Sequence, residues 1–301
     1  MPLAKDIWRP LIVEAPIEAV LRAGGIEGFA HRWLPEEGFL RFLADPFGIE
    51  RDGVRHVFVE HYDYRTRHGT IECLAFARDG ALIRRARVLA EPWHLSYPIL
   101  LESGGDIYML PEAYRSGGLT LYRAVDFPWR WERAAAIALD HVAIDATPVF
   151  HEGLWWLFYS AAGHGEAGKT GALFAAWAER IEGPWTAHAG NPIRLGRDSS
   201  RPGGTPVPLD GALVLPTQDC RRTYGGAIVP LHIHRLTPDR FEAQAGAPIV
   251  APVSFAPFTA GLHTVSAMGS TTLVDVKRKL LSPRSLAVLA RRELGRRQTP
   301  E

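Results

Sequence analysis

Two pairs of carboxylates stand at matching points of an internal repeat, and paired carboxylates are what acid–base chemistry requires. Asp45 lies in Ala44-Asp45-Pro46-Phe47-Gly48 and Asp145 in Ile144-Asp145-Ala146-Thr147-Pro148, each just ahead of an apolar segment. Glu60 and Glu112 form the second pair, each followed two residues later by a tyrosine, Tyr62 and Tyr114. A carboxyl against aromatic rings loses solvation, which disfavours its charge and raises its pKa toward the range a general acid uses near neutral pH. The alternative for the aspartates is capping a turn through their own backbone, and for the glutamates a hydrogen bond to a neighbouring unit.

His94, Tyr97 and His263 fall at or near the same repeat points; Arg201 opens the fourth repeat, and Gln218, Asp219 and Arg221 follow within it. Arginine forks hold carboxylate or phosphate bidentately. Gathered in one cleft, these side chains suit a polyhydroxylated or anionic ligand such as a sugar phosphate. No HxH or HxxE spacing occurs at these positions, so neither a metal nor another cofactor is expected. The chain is read as offering no GxSxG, no P-loop and no GxGxxG, so acyl, nucleotide and dinucleotide chemistry are not expected.

What would bring such scattered residues together is the repeat. Polar signatures begin at Asp45-Pro46, Tyr97-Pro98, Thr147-Pro148, Arg201-Pro202 and His263-Thr264, about fifty residues apart. Four are followed by a glycine and an apolar run, at Gly53, Gly105, Gly153 and Gly211, and seven residues after each glycine come Glu60, Glu112, Ser160 and Gln218. Short strands and turns at that period imply an all-β, five-bladed β-propeller, whose units bury their faces only by packing radially. Repeats are expected near residues 40–90, 91–140, 141–195, 196–250 and 255–276. The fifth is short, and Leu11-Ile12-Val13 is expected to add a strand to it and close the ring, because closure removes exposed sheet edges. The segment from Pro16 to Arg22, ended by Gly24-Gly25, reads as a short N-terminal helix.

The 301 residues are thus read as a single domain over 1–276 and a basic amphipathic tail over 277–301, in which leucines recur at helical spacing among arginines. A basic C-terminal helix of that kind caps the propeller, or touches an anionic membrane or a partner protein. A net charge of +1 gives no general attraction to nucleic acid. Cys73 and Cys220 show no pairing or metal spacing and read as reduced thiols. The first thirty residues lack a signal-peptide pattern, and no apolar run approaches the ~20 residues of a membrane span, so a cytoplasmic location is expected.

The chain resembles the five-bladed propellers of glycoside hydrolase family 43 at Asp45-Pro46, Asp145 with Thr147-Pro148, Gly153 to Phe158, Glu182-Gly183-Pro184-Trp185 and Gly190-Asn191-Pro192-Ile193. Through ADPFG, VEHYDY, HLSYP, YMLPE, DATPVF and the closing LHT it is more similar to the N-terminal domain of glucosamine inositolphosphorylceramide transferases and to bacterial proteins of polysaccharide assembly. The hydrolase resemblance implies action on a glycosidic linkage, with Asp45 as general base, Asp145 as orienting carboxylate and the acid at the opening of the fourth repeat. Arg201 stands there instead, so Glu112 is expected to supply the proton, with Glu60 in reserve. The transferase resemblance implies sugar transfer by a separate nucleotide-sugar domain, which is not expected within these residues. The alternative function is therefore a non-hydrolytic module that binds or transfers a glycan or sugar phosphate in polysaccharide or glycolipid biosynthesis.

Overall fold

A computed structural model describes residues 4–162 and 165–281. The chain begins with β1 (Lys5–Val13), a helix α1 (Ile17–Ala23) and β2 (His31–Trp33). Blade 1 is β3 (Arg41–Arg51), β4 (Val54–Asp63), β5 (His68–Phe76) and β6 (Leu82–Leu89). Blade 2 is β7 (Ser96–Ser103), β8 (Asp106–Glu112), β9 (Leu119–Asp126) and β10 (Arg130–Ile137). Blade 3 holds β11 (Ala143–His151), β12 (Leu154–Ala161), a short helix α2 (Gly165–Gly171), β13 (Ala172–Ala178), β14 (Thr186–Ala187) and β15 (Arg194–Leu195). Blade 4 holds β16 (Arg201–Pro202), β17 (Val207–Leu209), β18 (Ala212–Asp219), β19 (Ala227–Thr237) and β20 (Arg240–Ala245). The last two strands, β21 (Gly261–Met268) and β22 (Thr271–Leu280), begin blade 5. Contacts between β3 and β7, β8 and β11, β12 and β16, β18 and β21, and β21 and β3 join the blades in a closed ring of five.

Blade 5 is completed from the other end of the chain, in the order β2-β1-β22-β21. The closing strand is longer than expected: β1 pairs with β22 along its whole length, from Lys5 opposite Leu280 to Val13 opposite Thr272. β22 accordingly carries Lys277, Arg278 and Lys279, which charge alone had assigned to the tail. The remainder of the expected basic helix, from 282 onward, lies outside the described residues. The N-terminal helix forms as expected: Gly24, at φ 66°, ends it with its N–H on Leu21, and Ile17, Val20 and Leu21 bury against blades 4 and 5. Cys73 and Cys220 are free and buried.

The glycine register has a physical cause. Asp52-Gly53, Gly104-Gly105, Glu152-Gly153 and Asp210-Gly211 all have positive φ at both residues, the conformation of the type I′ hairpin that matches strand twist. Each hairpin fixes the count along the second strand, so Glu60 faces Ala44, Glu112 faces Ser96, Ser160 faces Ile144 and Gln218 faces Arg201. The signature residues are bulges in the inner strands. Register shifts fall between Ala44 and Phe47, Ser96 and Ile99, Ile144 and Thr147, and Leu262 and Thr264. Asp45, Tyr97 and Asp145 sit there with φ of 49°, 46° and 50°, strained positions that bend a strand and re-aim its side chains. In blade 4 the inner strand breaks between β16 and β17 at Gly203-Gly204. Gly204 has φ 154°, and a Cβ there would lie 1.8 Å from the Val265 carbonyl oxygen.

Candidate functional site

The bulges surround a cavity of about 320 Å³ at one mouth of the ring, lined among others by Asp45, Glu60, His94, Glu112, Arg201 and His263. Asp45, from β3, is held from three directions. Its N–H donates to Asp275 Oδ2 at 2.8 Å, Thr264 Oγ1 donates to its Oδ1 at 3.1 Å, and the Tyr97 N–H donates to its Oδ2 at 3.2 Å. His263 lies between two carboxylates, Nδ1 at 2.7 Å from Asp275 and Nε2 at 3.2 Å from Asp45, its ring stacked on Trp8 at 3.6 Å. Burial opposes a charge on His263, but Asp275 and Asp45 outweigh it and raise the imidazole above its ordinary value. Burial pushes Asp45 up to about 6 against the pull of His263. The Asp275–His263–Asp45 chain thus orients one carboxylate toward the cavity and keeps it ionisable near neutral pH. These three residues are also the set, among those described, that could hold a metal ion. Its oxygens are already engaged: Asp275 accepts the N–H groups of Asp45 and Thr264 as well as His263.

Glu112 accepts from Ser96 Oγ at 3.1 Å and from the Tyr114 N–H at 2.7 Å. Burial, with Asp145 adding, pushes its carboxyl up to about 7. Glu60 is also raised well above its ordinary value, first by burial and then by Asp45 and Glu112. His94 accepts the Gly69 N–H at Nδ1, 2.9 Å, and burial lowers it to about 4. The ring is therefore neutral, with its proton on Nε2 facing Glu60 at 3.6 Å. The rise at Glu112 has a sign in stability. Between its ordinary 4.5 and its folded value of about 7, the folded chain keeps a proton that the unfolded chain has lost, so stability falls as pH rises through that window. Glu112→Gln should remove this slope, on the order of 3 kcal/mol between pH 4.5 and 7, as read by urea unfolding at several pH values. An unchanged slope would contradict the assignment.

Arg201 occupies the place where the hydrolase resemblance calls for an acid, and it is bound to Asp145. Its Nε lies 2.7 Å from Asp145 Oδ2, which also accepts from Gln218 Nε2 at 3.2 Å. Arg201 packs over Tyr224 at 5.0 Å and donates to the Lys169 carbonyl at 3.1 Å. Asp145 and Gln218 therefore stand behind Arg201 and do not line the cavity. Tyr97, expected to meet a ligand, is instead buried in the channel, its hydroxyl accepting the Gly204 N–H at 2.8 Å and hydrogen-bonded to the Thr147 hydroxyl at 3.0 Å. Asp219 and Arg221 pair with each other at 2.6 Å, with Arg221 mostly exposed, and also lie off the cavity.

Several wall residues escape a reading of the repeats. Trp8 and Asp6 come from the closing strand β1. Lys277 is fully buried beside them, donating to Asp6 Oδ2 and Thr223 Oγ1, each at 3.1 Å, and to the Tyr224 carbonyl. Asp275 interrupts the apolar run Leu273-Val274-Asp275-Val276, a buried acid visible by type alone. Lys169 belongs to residues 163–170, GHGEAGKT, which fit both GxGxxG and GxxxxGKT by spacing, contrary to the expectation that such handles are missing. The spacing has meaning in a parallel βαβ unit, whereas β12 and β13 flank this segment as antiparallel neighbours. Lys169 nonetheless reaches the cavity, its Nζ 5.1 Å above the Tyr114 ring.

A family model described as glucosamine inositolphosphorylceramide transferase 1, N-terminal, matches residues 35–251. The chain belongs to this family. Glucosamine inositolphosphorylceramide transferase 1 of Arabidopsis thaliana is 36% identical over 204 residues, 67% of this chain and 26% of the relative. The protein of that name from Oryza sativa subsp. indica is 34% identical over 204 residues, 67% of this chain and 27% of its own. The chain thus spans about a quarter of the length of these relatives. In fold it is similar to Zg3597, a family 117 glycoside hydrolase of Zobellia galactanivorans, with TM-score 0.56, 15% identity and coverage of 84% of this chain and 91% of that one. The GH43_1 enzyme of Xanthomonas citri complexed with xylotriose gives TM-score 0.54 and 16% identity over 87% of this chain and 92% of that one. The chain thus has the five-bladed propeller fold of these structures, with Arg201 set against Asp145.

Proposed function

We propose that the chain is a glycan-binding module of glycolipid or polysaccharide assembly, holding a sugar or sugar phosphate in the cavity at the mouth of the ring. The observation that carries this reading is the Arg201–Asp145 ion pair at 2.7 Å. A cation replaces the proton donor that the hydrolase pattern calls for, and it neutralises the carboxylate that would orient the base. Family membership supports the same reading, because the relatives are named glucosamine inositolphosphorylceramide transferase 1. Their transferase activity belongs to proteins of which the matched segment is about a quarter. The aromatic and hydroxyl-bearing wall suits a sugar, whose C–H faces stack on rings while its hydroxyls bond to fixed polar groups.

A second reading is hydrolysis or transfer with Asp45 as base and Glu112 as acid. The specific support is that burial brings these carboxyls to about 6 and about 7, values suited to acid–base work at neutral pH. Incubation with a panel of aryl glycosides, alongside calorimetric titration with the parent sugars, separates the two. Saturable binding without turnover is expected. Turnover abolished by both Asp45→Asn and Glu112→Gln would establish the second reading instead.

A further inference from the structure

Each seam between neighbouring blades is bridged around the mouth cavity. Between blades 5 and 1 the Tyr64 hydroxyl donates to the Asp6 carbonyl at 2.8 Å. Between blades 1 and 2 Arg115 Nη1 donates to the Arg67 carbonyl at 3.3 Å, and His94 stands edge-on to Tyr62 at 5.6 Å. Lys169 of blade 3 holds its Nζ 5.1 Å over the Tyr114 ring of blade 2, and its carbonyl accepts from Arg201 of blade 4 at 3.1 Å. Tyr224 of blade 4 completes the circle, edge-on to Trp8 at 6.3 Å, with its carbonyl accepting from Lys277 of blade 5. Hydrogen bonds and ring contacts at these distances leave no gap the width of a sugar ring.

The cavity is closed below as well. Tyr97 is buried in the channel, its hydroxyl fixed to the Gly204 N–H at 2.8 Å and its ring edge-on to Phe47 at 4.7 Å. Asp45, Glu60, Ser96, Glu112 and His263 are buried in the lining, whereas Tyr62, Tyr114 and Lys169 are half-buried. Among the described residues the cavity thus opens in one direction, as a pit and not as a groove or tunnel. Its volume of about 320 Å³ lies near the lower end for small-ligand pockets, about 300–1,000 Å³.

We infer that the pit takes the terminal unit of a glycan and excludes internal units. The inference rests on the glycan-binding reading above and names the class of ligand within it, a free chain end. A unit inside a chain carries two glycosidic bonds, which leave its ring at different carbons and need two exits. A terminal unit carries one and can direct it outward. Its remaining hydroxyls then meet the buried polar groups, where a partner left unpaired is costly and discrimination is strongest, while the wall rings take its C–H faces.

The test is calorimetric titration of the full chain with the tightest-binding of the parent sugars and its linear oligomers, followed by displacement of that sugar with a long polymer of the same unit. Affinity per chain should be level, within about threefold, from two units to four, and the polymer should displace in proportion to its chain ends. Internal binding gives the opposite pattern, because every added unit adds a register in which the chain can sit. A rise of about tenfold or more between two units and four, or displacement in proportion to polymer mass, would overturn the inference and leave glycan binding standing. Absence of binding by every sugar would overturn both.

Discussion

Arg201→Met should lower the unfolding free energy by about 3–5 kcal/mol, the range for removing one partner of a buried ion pair. The cause lies in what remains. Asp145 is 3% exposed and faces Arg201 at 2.7 Å, with Gln218 as its other side-chain donor. Without the guanidinium, a carboxylate away from water keeps one neutral hydrogen bond and must either take up a proton or destabilise the fold. Arg201→Met combined with Asp145→Asn should recover most of the loss, because an amide in place of the carboxylate carries no charge to compensate and still accepts from Gln218. Urea unfolding of the two single variants and the double variant measures this coupling directly. A single-variant loss under about 1 kcal/mol, the range of exposed ion pairs, would show that the pair is not the buried clamp described.

Gly204→Ala should prevent stable folding, and the reason is steric. A Cβ at this position meets the Val265 carbonyl oxygen at 1.8 Å, and φ of 154° lies where L side chains rarely go. The chain cannot step aside, since the Gly204 N–H is fixed to the Tyr97 hydroxyl and the Gly203 carbonyl accepts the N–H of Val265 in the adjacent blade. A loss above about 4 kcal/mol is expected, in the class of severe backbone and packing defects. Gly153→Ala is the control. Gly153 also has positive φ, 84°, but open space around its Cβ direction, so only the left-handed backbone penalty of about 1–2 kcal/mol applies. Thermal melts of the two variants should differ widely, and similar melting points would mean that the closed channel centre tolerates movement.

The parts of the fold legible in sequence are those set by local rules. Hairpin glycines announce type I′ turns, and a fixed turn fixes the count to Glu60, Glu112 and Gln218, so register could be read without coordinates. Inner-strand bulges were legible as the polar interruptions Asp45, Tyr97, Asp145 and His263 in apolar surroundings. What each interruption does was not legible, because it depends on contacts across the ring. Tyr97 and His263 look equivalent in the repeat, but one phenol is consumed by the Gly204 backbone and the other side chain borders the cavity. Lys277 read as part of a basic tail, since its partner Asp6 is 271 residues away and enters only when β1 closes the last blade. Trp8 was invisible for the same reason. Asp219 and Arg221 satisfy each other locally, which spacing cannot distinguish from a shared ligand.

The mouth cavity is the proposed glycan site, and perturbation of assigned NMR signals by a bound sugar tests that most directly. The indole N–H of Trp8 and the ring protons of His263, stacked at 3.6 Å in the cavity wall, should move on titration with the tightest-binding sugar. The signals of Trp33, in a separate aromatic hollow with Phe255 and Phe258, should stay in place. Shifts at Trp33 with Trp8 and His263 unmoved would place the sugar elsewhere and contradict the account.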